Sequence, residues 1–478
     1  MRFLAAACAL LSLIQTASPP AAQAVQILLR HFDPADRESA RYHYVAFDVA
    51  DGTERLTINY RYNGDDGTNV IDLGLFQPGS LALGSAAFRG YSGGARRTIF
   101  VGREASSPGY RTGPVPPGRW HVLLGLYKVA PGGVDVTVEV TATNHARPST
   151  EGDDNPGSPA TFAAPAARDA QAGRRWYSGA LHLHTTHSDG TLSPASLADA
   201  VRSAGFDFFA VTDHNNTTHS RDPLPGVPLH IVGEEVTTPA GHASVWGLPA
   251  DAWIDFRVRQ SDPGAARAID ALVAEASRAG ALVAINHPVD TCAGCSWEHE
   301  VPAALDAIEI WNGGREPQQP AIAIWDRLLR SGRRVTAVGA SDWHRAPAPI
   351  DTPAVRVLAD SLTQADILDA IRQSRVIVVR DTRVEPPSVR ATCGSSTASI
   401  GETLVCGGNE HIAIHVGTSG TSGGRAELFW NGDRSKSKPA SNDVAFEVRA
   451  AAGYLRVHLY AADGSTVAIT NPIHVAIR

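Results

Sequence analysis

Residues 179–194, GALHLHTTHSDGTLSP, set two imidazoles, His182 and His184, on alternate positions of an apolar run and follow them with His187, Ser188, Asp189 and Gly190. Alternate residues of an extended strand share one side, so His182 and His184 face one way while Leu181 and Leu183 face the other. Four residues after Asp189 a helix start is legible: Ser193 suits an N-cap and Pro194 suits the first helical turn. A strand that ends in exposed chemistry and runs into a helix is the unit of a parallel α/β sheet.

The same unit recurs downstream. Strand candidates are GALHLH (179–184), FDFFAVTDH (206–214), LHIVGEEV (229–236), ALVAINHP (281–288), AIEIWN (307–312), RRVTAVGASDWH (333–344) and RVIVV (375–379). Between them lie SPASLADAVRSAG (193–205), with Gly205 as its stop, and GAARAIDALVAEASRAG (264–280) and TQADILDAIRQS (363–374), which carry apolar residues at helical spacing. Seven such strands predict a central α/β domain over residues 176–382, a distorted seven-stranded (β/α) barrel of TIM-like type.

The flanks read differently. HYVAFDV (43–49), RLTINYRY (55–62), RWHVLLGLYKV (119–129) and VDVTVEV (134–140) alternate around turns such as NGDDG and PGG, which predicts an N-terminal β-sandwich over 25–145. Residues 146–175, rich in Pro, Ala, Gly and Asp, read as a linker. From residue 383 to 478 strand text returns (EHIAIHVGT, RAELFWNG, VAFEVRAA, YLRVHLYAADG, PIHVAI) and predicts a small C-terminal β-sandwich.

The N-terminal 24 residues combine Arg2, an apolar run and Ala22-Gln23-Ala24, the pattern of a signal peptide cleaved near Ala24; the expectation is an exported chain, periplasmic or secreted. No later stretch has the ~18 consecutive apolar residues of a membrane span. Past the signal stand Cys292, Cys295, Cys393 and Cys406, an even number that favours disulfides in an exported protein. CAGC (292–295) is open to a redox pair, half a zinc site or a loop-tightening disulfide; no second CxxC or nearby ligand pair completes a structural zinc, and the disulfide is expected. Of 478 residues 43% are hydrophobic and 19% charged, with net charge −7, which gives no electrostatic signature of a nucleic-acid partner. Nothing in the sequence fixes the oligomeric state.

In a parallel barrel the C-terminal strand ends converge on one face, where active sites are built. Here those ends carry His182, His184 and Asp189; Asp213 and His214; Glu234, Glu235 and then His242; His287; and Asp342 and His344. Six histidines and at least three carboxylates without a thiolate suit Zn, Mn or Fe better than Ca or Mg. One ion cannot take so many ligands, so two or three divalent ions, bridged by a carboxylate and a hydroxide, are implied, and hydrolysis is the chemistry such a cluster supports. HxH or NHP alone is a weak signal; their joint appearance at consecutive strand ends carries the metal reading.

HxH-x4-D, TDHN, GxE with a following His, NHP and SDxH in this order resemble the PHP (polymerase and histidinol phosphatase) superfamily of metal-dependent phosphoesterases, with the nearest look to its carbaryl-hydrolase-like (CehA/McbA) branch. The likeness spans residues 176 to about 381, and DLGLFQPGS, FRGYSGGARR and PGRWHVLLGLYKV also resemble the leader domain of exported members. The resemblance implies His182, His184, Asp189, His214, Glu235, His242, His287, Asp342 and His344 as metal ligands, with Asp189, His214, Glu235 and Asp342 in the catalytic role. Glu235 is taken over Glu234 because the family's acid stands second after the glycine. Arg315 and Arg345 are candidates to hold a phosphate or carboxylate, and Trp311 and Asn312 to line the substrate pocket. Asp213 is expected to orient a ligand histidine; His187 reads equally as such a donor or as surface, and Trp343 as packing.

Three functions compete. The first is a phosphomono- or phosphodiesterase acting on a small-molecule or polymer-linked ester. The second keeps the metals and hydrolyses a carbamate, carboxyl ester or amide. An apolar pocket without arginines favours the second, and Arg315 or Arg345 directed at the metals favours the first. The third is a binding protein whose sandwiches attach to a surface polymer, for which only fold analogy speaks.

Overall fold

Period-two alternation builds the N-terminal part. Its strands are β1 (Gln23–Phe32), followed by the short helix α1 (Pro34–Ser39), then β2 (Tyr42–Val49), β3 (Arg55–Tyr62), β4 (Val70–Phe76), β5 (Phe88–Gly93), β6 (Thr98–Gly102), β7 (Gly118–Lys128) and β8 (Val134–Thr143). They pair into two four-stranded antiparallel sheets, β1-β8-β3-β6 and β2-β7-β4-β5. Leu56, Ile58, Val136, Val138 and Val140 from the first meet Ile71, Leu73, Leu75, Trp120 and Val122 from the second. This computed structural model describes residues 23–144, 173–222, 224, 228–258, 268–292, 294–314, 316–418 and 423–478. The signal-peptide region through residue 22, most of the predicted linker and Arg315 lie outside the described residues.

The second sheet is buried on its outer face as well. Tyr42, Phe76, Phe88 and Tyr91 point away from the sandwich core into a cluster with Val236, Trp253, Phe256 and Trp311 of the central part. Removing one such ring from water contributes about 2–3 kcal/mol, so this contact fixes the sandwich on its neighbour. Buried Arg257 reinforces it with hydrogen bonds to the Leu81 carbonyl (3.1 Å) and the Tyr44 hydroxyl.

The central part runs β9 (Arg175–Ala180), α2 (Pro194–Ser203), β10 (Phe208–Val211), β11 (Leu229–Thr238), β12 (Gly241–Trp246), α3 (Ile269–Arg278), β13 (Leu282–Ile285), β14 (Ala307–Asn312), α4 (Gln319–Arg330), β15 (Thr336–Ala340), β16 (Ala354–Ala359), α5 (Gln364–Arg372) and β17 (Val376–Val379). The Ser193 hydroxyl accepts from Ser196 N at 3.2 Å, Pro194 opens α2, and Leu197, Ala198 and Val201 are buried beneath it. Pairing follows β9-β10-β11-β12-β13-β14-β15. It is not all parallel: β12 folds back from β11 and pairs antiparallel with both β11 and β13. The run RVIVV is not a parallel member either, since β17 pairs antiparallel with β16 and with a C-terminal strand. Past the ends of β9 and β15 a parallel bridge joins Leu183 and Trp343, with His184 N donating to Trp343 O at 3.0 Å.

The C-terminal part comprises β18 (Ser388–Cys393), β19 (Ser396–Ser399), β20 (Thr403–Cys406), β21 (His411–Gly417), β22 (Arg425–Trp430), β23 (Asp433–Pro439), β24 (Asp443–Arg449), β25 (Gly453–Tyr460), β26 (Thr466–Thr470) and β27 (Ile473–Ile477). One layer is β19-β18-β21-β24; the other continues the central sheet through β17-β26-β25-β22-β23. The molecule is therefore multidomain and largely β, with few helices among the described residues. Disulfides join Cys292 to Cys295 and Cys393 to Cys406. Among the described residues no helix is long and apolar enough to cross a membrane.

Candidate metal centre

His182 and His184 lie in the extended segment just past β9, where the alternation persists beyond the regular strand. The turn that follows is tight: Gly190 N donates to Thr185 O at 2.9 Å, and a Cβ at residue 190 would overlap the His184 carbonyl. His214 follows β10, Glu235 lies on β11 and His242 on β12, His287 follows β13, and Asp342 and His344 follow β15. Asn215, His287 and Asp342 hold φ values of 50°, 23° and 50°. Such left-handed non-glycine residues cost of order 1–3 kcal/mol each and gather where a site over-determines the backbone.

Glu235 stands at the centre. Its carboxylate lies 2.7 Å from His214 Nδ1, 3.2 Å from both His182 Nε2 and His287 Nε2, 3.3 Å from His242 Nδ1 and 3.6 Å from His184 Nε2. Asp342 forms a second focus, 3.0 Å from His184 Nε2 and 3.2 Å from His182 Nε2. Asp189 forms a third, more exposed one, 3.3 Å from His344 Nε2 and 3.7 Å from His214 Nε2. The nine side chains implied as metal ligands thus converge. Glu234 turns away and accepts from Ile254 N at 2.8 Å.

Burial pushes the Glu235 carboxyl up, but His182, His214 and His242 outweigh it and hold the group well below the usual carboxylate range. Burial and the rings of His344 and His214 bring His184 down to about 4, which keeps its ring nitrogen free of a second proton at neutral pH. Several of these atoms, among them His182 Nε2, Glu235 Oε2, both ring nitrogens of His242 and Asp189 Oδ1, are buried without a hydrogen bond of acceptable geometry. Leaving them so costs about 1–3 kcal/mol each, and a bound cation removes the cost. Groups such as His184–Asp189–His214–His344 and His182–His184–Glu235 place their donor atoms within 4.8 Å of one another. The donor set fits divalent metal ions.

A supporting layer surrounds the donors. Glu309 on β14, not singled out in the sequence, is fully buried; its carboxylate receives His182 Nδ1 (2.9 Å), His287 N (2.8 Å) and Asn312 Nδ2 (2.9 Å). Its signal was an acid inside the apolar run AIEIWN. Asn286 Nδ2 donates to Glu235 at 2.8 Å. The Asp213 side chain hydrogen-bonds none of the predicted ligands, although its carbonyl accepts from Glu235 N (3.2 Å): its carboxylate accepts from Thr185 N (2.7 Å) and Ser188 Oγ (2.6 Å) and lies 3.2 Å from His219 Nδ1. It therefore braces the loop between His184 and Asp189. His187 is buried against Thr218 and Asp222 (2.6 and 3.2 Å). Trp311 lies in the apolar core, Trp343 is buried with Nε1 donating to Ala348 O at 2.8 Å, and Arg345 is exposed.

A cavity of about 400 Å³ opens onto the cluster between the central part and the N-terminal sandwich. Ser188, Asp189, His214, Asn215, Thr237 and His242 form one wall; Val70, Asp72, Tyr91, Tyr127 and the 92–95 turn form the other. Among its described lining residues there is no Lys or Arg. Tyr91 donates to Asp72 Oδ2 at 2.7 Å, and burial pushes the Asp72 carboxyl up to about 6. No feature of the sequence marked the sandwich as part of this site.

No family model and no curated protein matches the chain. Among solved structures, a two-domain protein from Bacteroides vulgatus containing a predicted PHP-like metal-dependent phosphoesterase is similar at 16% identity, covering 65% of this chain and 100% of that one, with a TM-score of 0.36. A putative metal-dependent phosphoesterase from Bifidobacterium adolescentis (16% identity, 36% of this chain and 90% of that one, TM-score 0.25) and an amidohydrolase from Chromobacterium violaceum (16%, 35% and 88%, TM-score 0.25) are similar as well.

Proposed function

We propose that the chain is an exported, metal-dependent hydrolase, with His182, His184, Asp189, His214, Glu235, His242, His287, Asp342 and His344 holding two or three divalent ions at the mouth of a distorted PHP-type barrel over residues 176–382. The reading rests on one observation: the three carboxylate foci and six imidazoles are packed together, and several of their donor atoms, among them both ring nitrogens of His242, are buried without a hydrogen bond of acceptable geometry. When bound, the ions supply an activated water and polarise the bond to be cleaved. The chain's own part is to hold the donors rigidly through Glu309, Asn286 and Asp213 and to enclose the substrate between Asp189 and His214 on one side and Tyr91 and Asp72 on the other. Two sandwiches, over 25–145 and 383–478, flank the catalytic domain in this proposal.

The bond is first proposed to be a phosphoester, the class for which such multi-ion clusters act as a clamp on both oxygens of a displacement. A carbamate, carboxyl ester or amide is the second reading, favoured by the lack of Lys or Arg among the cavity's described lining residues. One panel separates them: the mature protein loaded with Mn or Zn, assayed on p-nitrophenyl phosphate, bis-(p-nitrophenyl) phosphate and 1-naphthyl N-methylcarbamate, with Asp342→Ala as blank. Phosphate-ester turnover lost in the blank supports the first reading, carbamate turnover alone the second, and no turnover by metal-loaded protein counts against both.

A further inference from the structure

The loop after His287 runs beside the candidate metal ligands His242 and His287. Its CAGC motif lacked any nearby ligand pair in the sequence, yet the fold supplies one. Cys295 Sγ and ring nitrogens of His242 and His287 all lie within 4.8 Å of one another, and all three residues are buried. The loop is held in place: Gly241 N donates to Gly294 O (3.0 Å), Trp297 N to Pro288 O (3.1 Å) and Glu298 N to Ala240 O (2.8 Å). A Cβ at Gly294, where φ is +81°, would collide with the Tyr127 hydroxyl. Donors of one tetrahedral zinc-like ion stand about 3.5 Å apart, so ligation requires a freed Cys295 side chain to move towards the two imidazoles.

The two cysteines differ in reach: Cys292 is exposed, whereas Cys295 is only 9% exposed. A disulfide sulfur is a poor ligand and a thiolate a strong one. We propose that Cys295 is a redox-gated metal ligand: in the disulfide it is withheld, and on reduction its thiolate joins His242 and His287 on a thiophilic divalent ion. This rests on the reading that these histidines hold metal. A dithiol supplies the two electrons: its thiolate attacks the accessible Cys292 sulfur, the S–S bond breaks and releases Cys295, and the dithiol's second sulfur closes its own disulfide to free Cys292 as a thiol. Cys295 then enters the ion's shell as the thiolate, and any proton it has taken up passes to solvent. Thiolate donation shifts the site's preference from Mn towards Zn or Co.

The test is the absorption spectrum of the full chain loaded with Co2+, with bound cobalt counted by elemental analysis. Oxidised protein is expected to show cobalt ligand-field bands without a thiolate-to-cobalt charge-transfer band. That band is expected after treatment with dithiothreitol followed by anaerobic removal of the reagent, and in Cys292→Ser without any reductant. It is expected to vanish when Cys295→Ser is added to Cys292→Ser. Cobalt bound without the band, in both the reduced protein and Cys292→Ser, overturns the proposal alone. Protein that binds no cobalt overturns it together with the metal reading beneath it.

Discussion

His182 Nδ1 and Glu309 Oε1 stand 2.9 Å apart with both side chains fully buried, which leaves His182 to present Nε2 to Glu235 and Asp342. A carboxylate behind a ligand imidazole fixes its tautomer and raises its basicity. Glu309→Gln keeps the shape and removes the charge. The expected result is a loss of roughly 10- to 100-fold in affinity for the tightest ion, with the fold retained. Competition titration against a chelator measures it, and an affinity within twofold of the parent would rule out the orienting role.

Asn216 ties the sandwich to the loop that carries His214. Its amide donates to Tyr91 O (2.7 Å) and Gly109 O (2.9 Å), and its oxygen accepts from Thr218 N (2.8 Å) and Oγ1 (2.6 Å). Asn216→Asp sets a buried negative charge against two carbonyl oxygens. A destabilisation of roughly 2–4 kcal/mol is expected from the lost donors and the buried charge. Urea unfolding gives the number; a change below about 0.5 kcal/mol would mean that the joint opens to water.

What the sequence disclosed and what it concealed follow the range of the interactions. His182 and His184, His287 in NHP, and Asp342 and His344 in SDWH each end a short apolar run, so their convergence was readable locally once the strands were placed in one sheet. Strand β12 was not, because GHASVW is only six residues and its place is fixed by folding back on β11. The continuity of β17 with β26 joins segments some 90 residues apart, and neither carries a local mark of its partner. Asp72 and Tyr91 lie in DLGLFQPGS and FRGYSGGARR, which resemble a leader domain but carry no local mark of a site; the packing of Phe88 on Trp253 (4.8 Å) and of Tyr91 on Phe256 (4.7 Å), with the Asn216 and Arg257 hydrogen bonds, brings that sheet over the cluster. Glu309 was the legible exception that went unread.

Far from the cluster, Arg456 links the C-terminal strands to α4, donating to Asp326 Oδ2 at 2.7 Å and lying 2.9 Å from His458 Nε2. Burial, then the guanidinium of Arg456, holds His458 well below its ordinary value. A depressed histidine is neutral in the folded state, so its contribution is fully present above the unfolded value near 6.5 and is lost as pH falls below it. Between about pH 6.5 and 5 the wild type should lose up to about 1.4 kcal/mol per pH unit from this group. His458→Gln is expected to be less stable at pH 7 yet flatter across that window. Denaturant midpoints measured at four pH values test it, and parallel curves for the two proteins would remove His458 as the source.

Asp72 is the one carboxylate of the sandwich on the cavity wall, whereas Arg345 is exposed and outside the described lining. Above about pH 7 the Asp72 carboxyl, held up to about 6 by burial, is ionised and repels an anionic substrate. Across several ångströms of a partly desolvated cleft a unit charge amounts to about 1 kcal/mol. Asp72→Asn is therefore expected to raise kcat/KM for bis-(p-nitrophenyl) phosphate about three- to tenfold at about pH 8, without changing bound metal or the rate on a neutral carbamate. Arg345→Ala is expected to leave both within about twofold, as a solvated arginine does. The measurement is kcat/KM for the two variants on both substrates, with metal content checked alongside. A fall in phosphodiester turnover in Asp72→Asn would show that the carboxylate holds the substrate by a hydrogen bond instead of repelling it. A tenfold loss in Arg345→Ala would place that guanidinium in the cleft during turnover and weigh for the phosphoester.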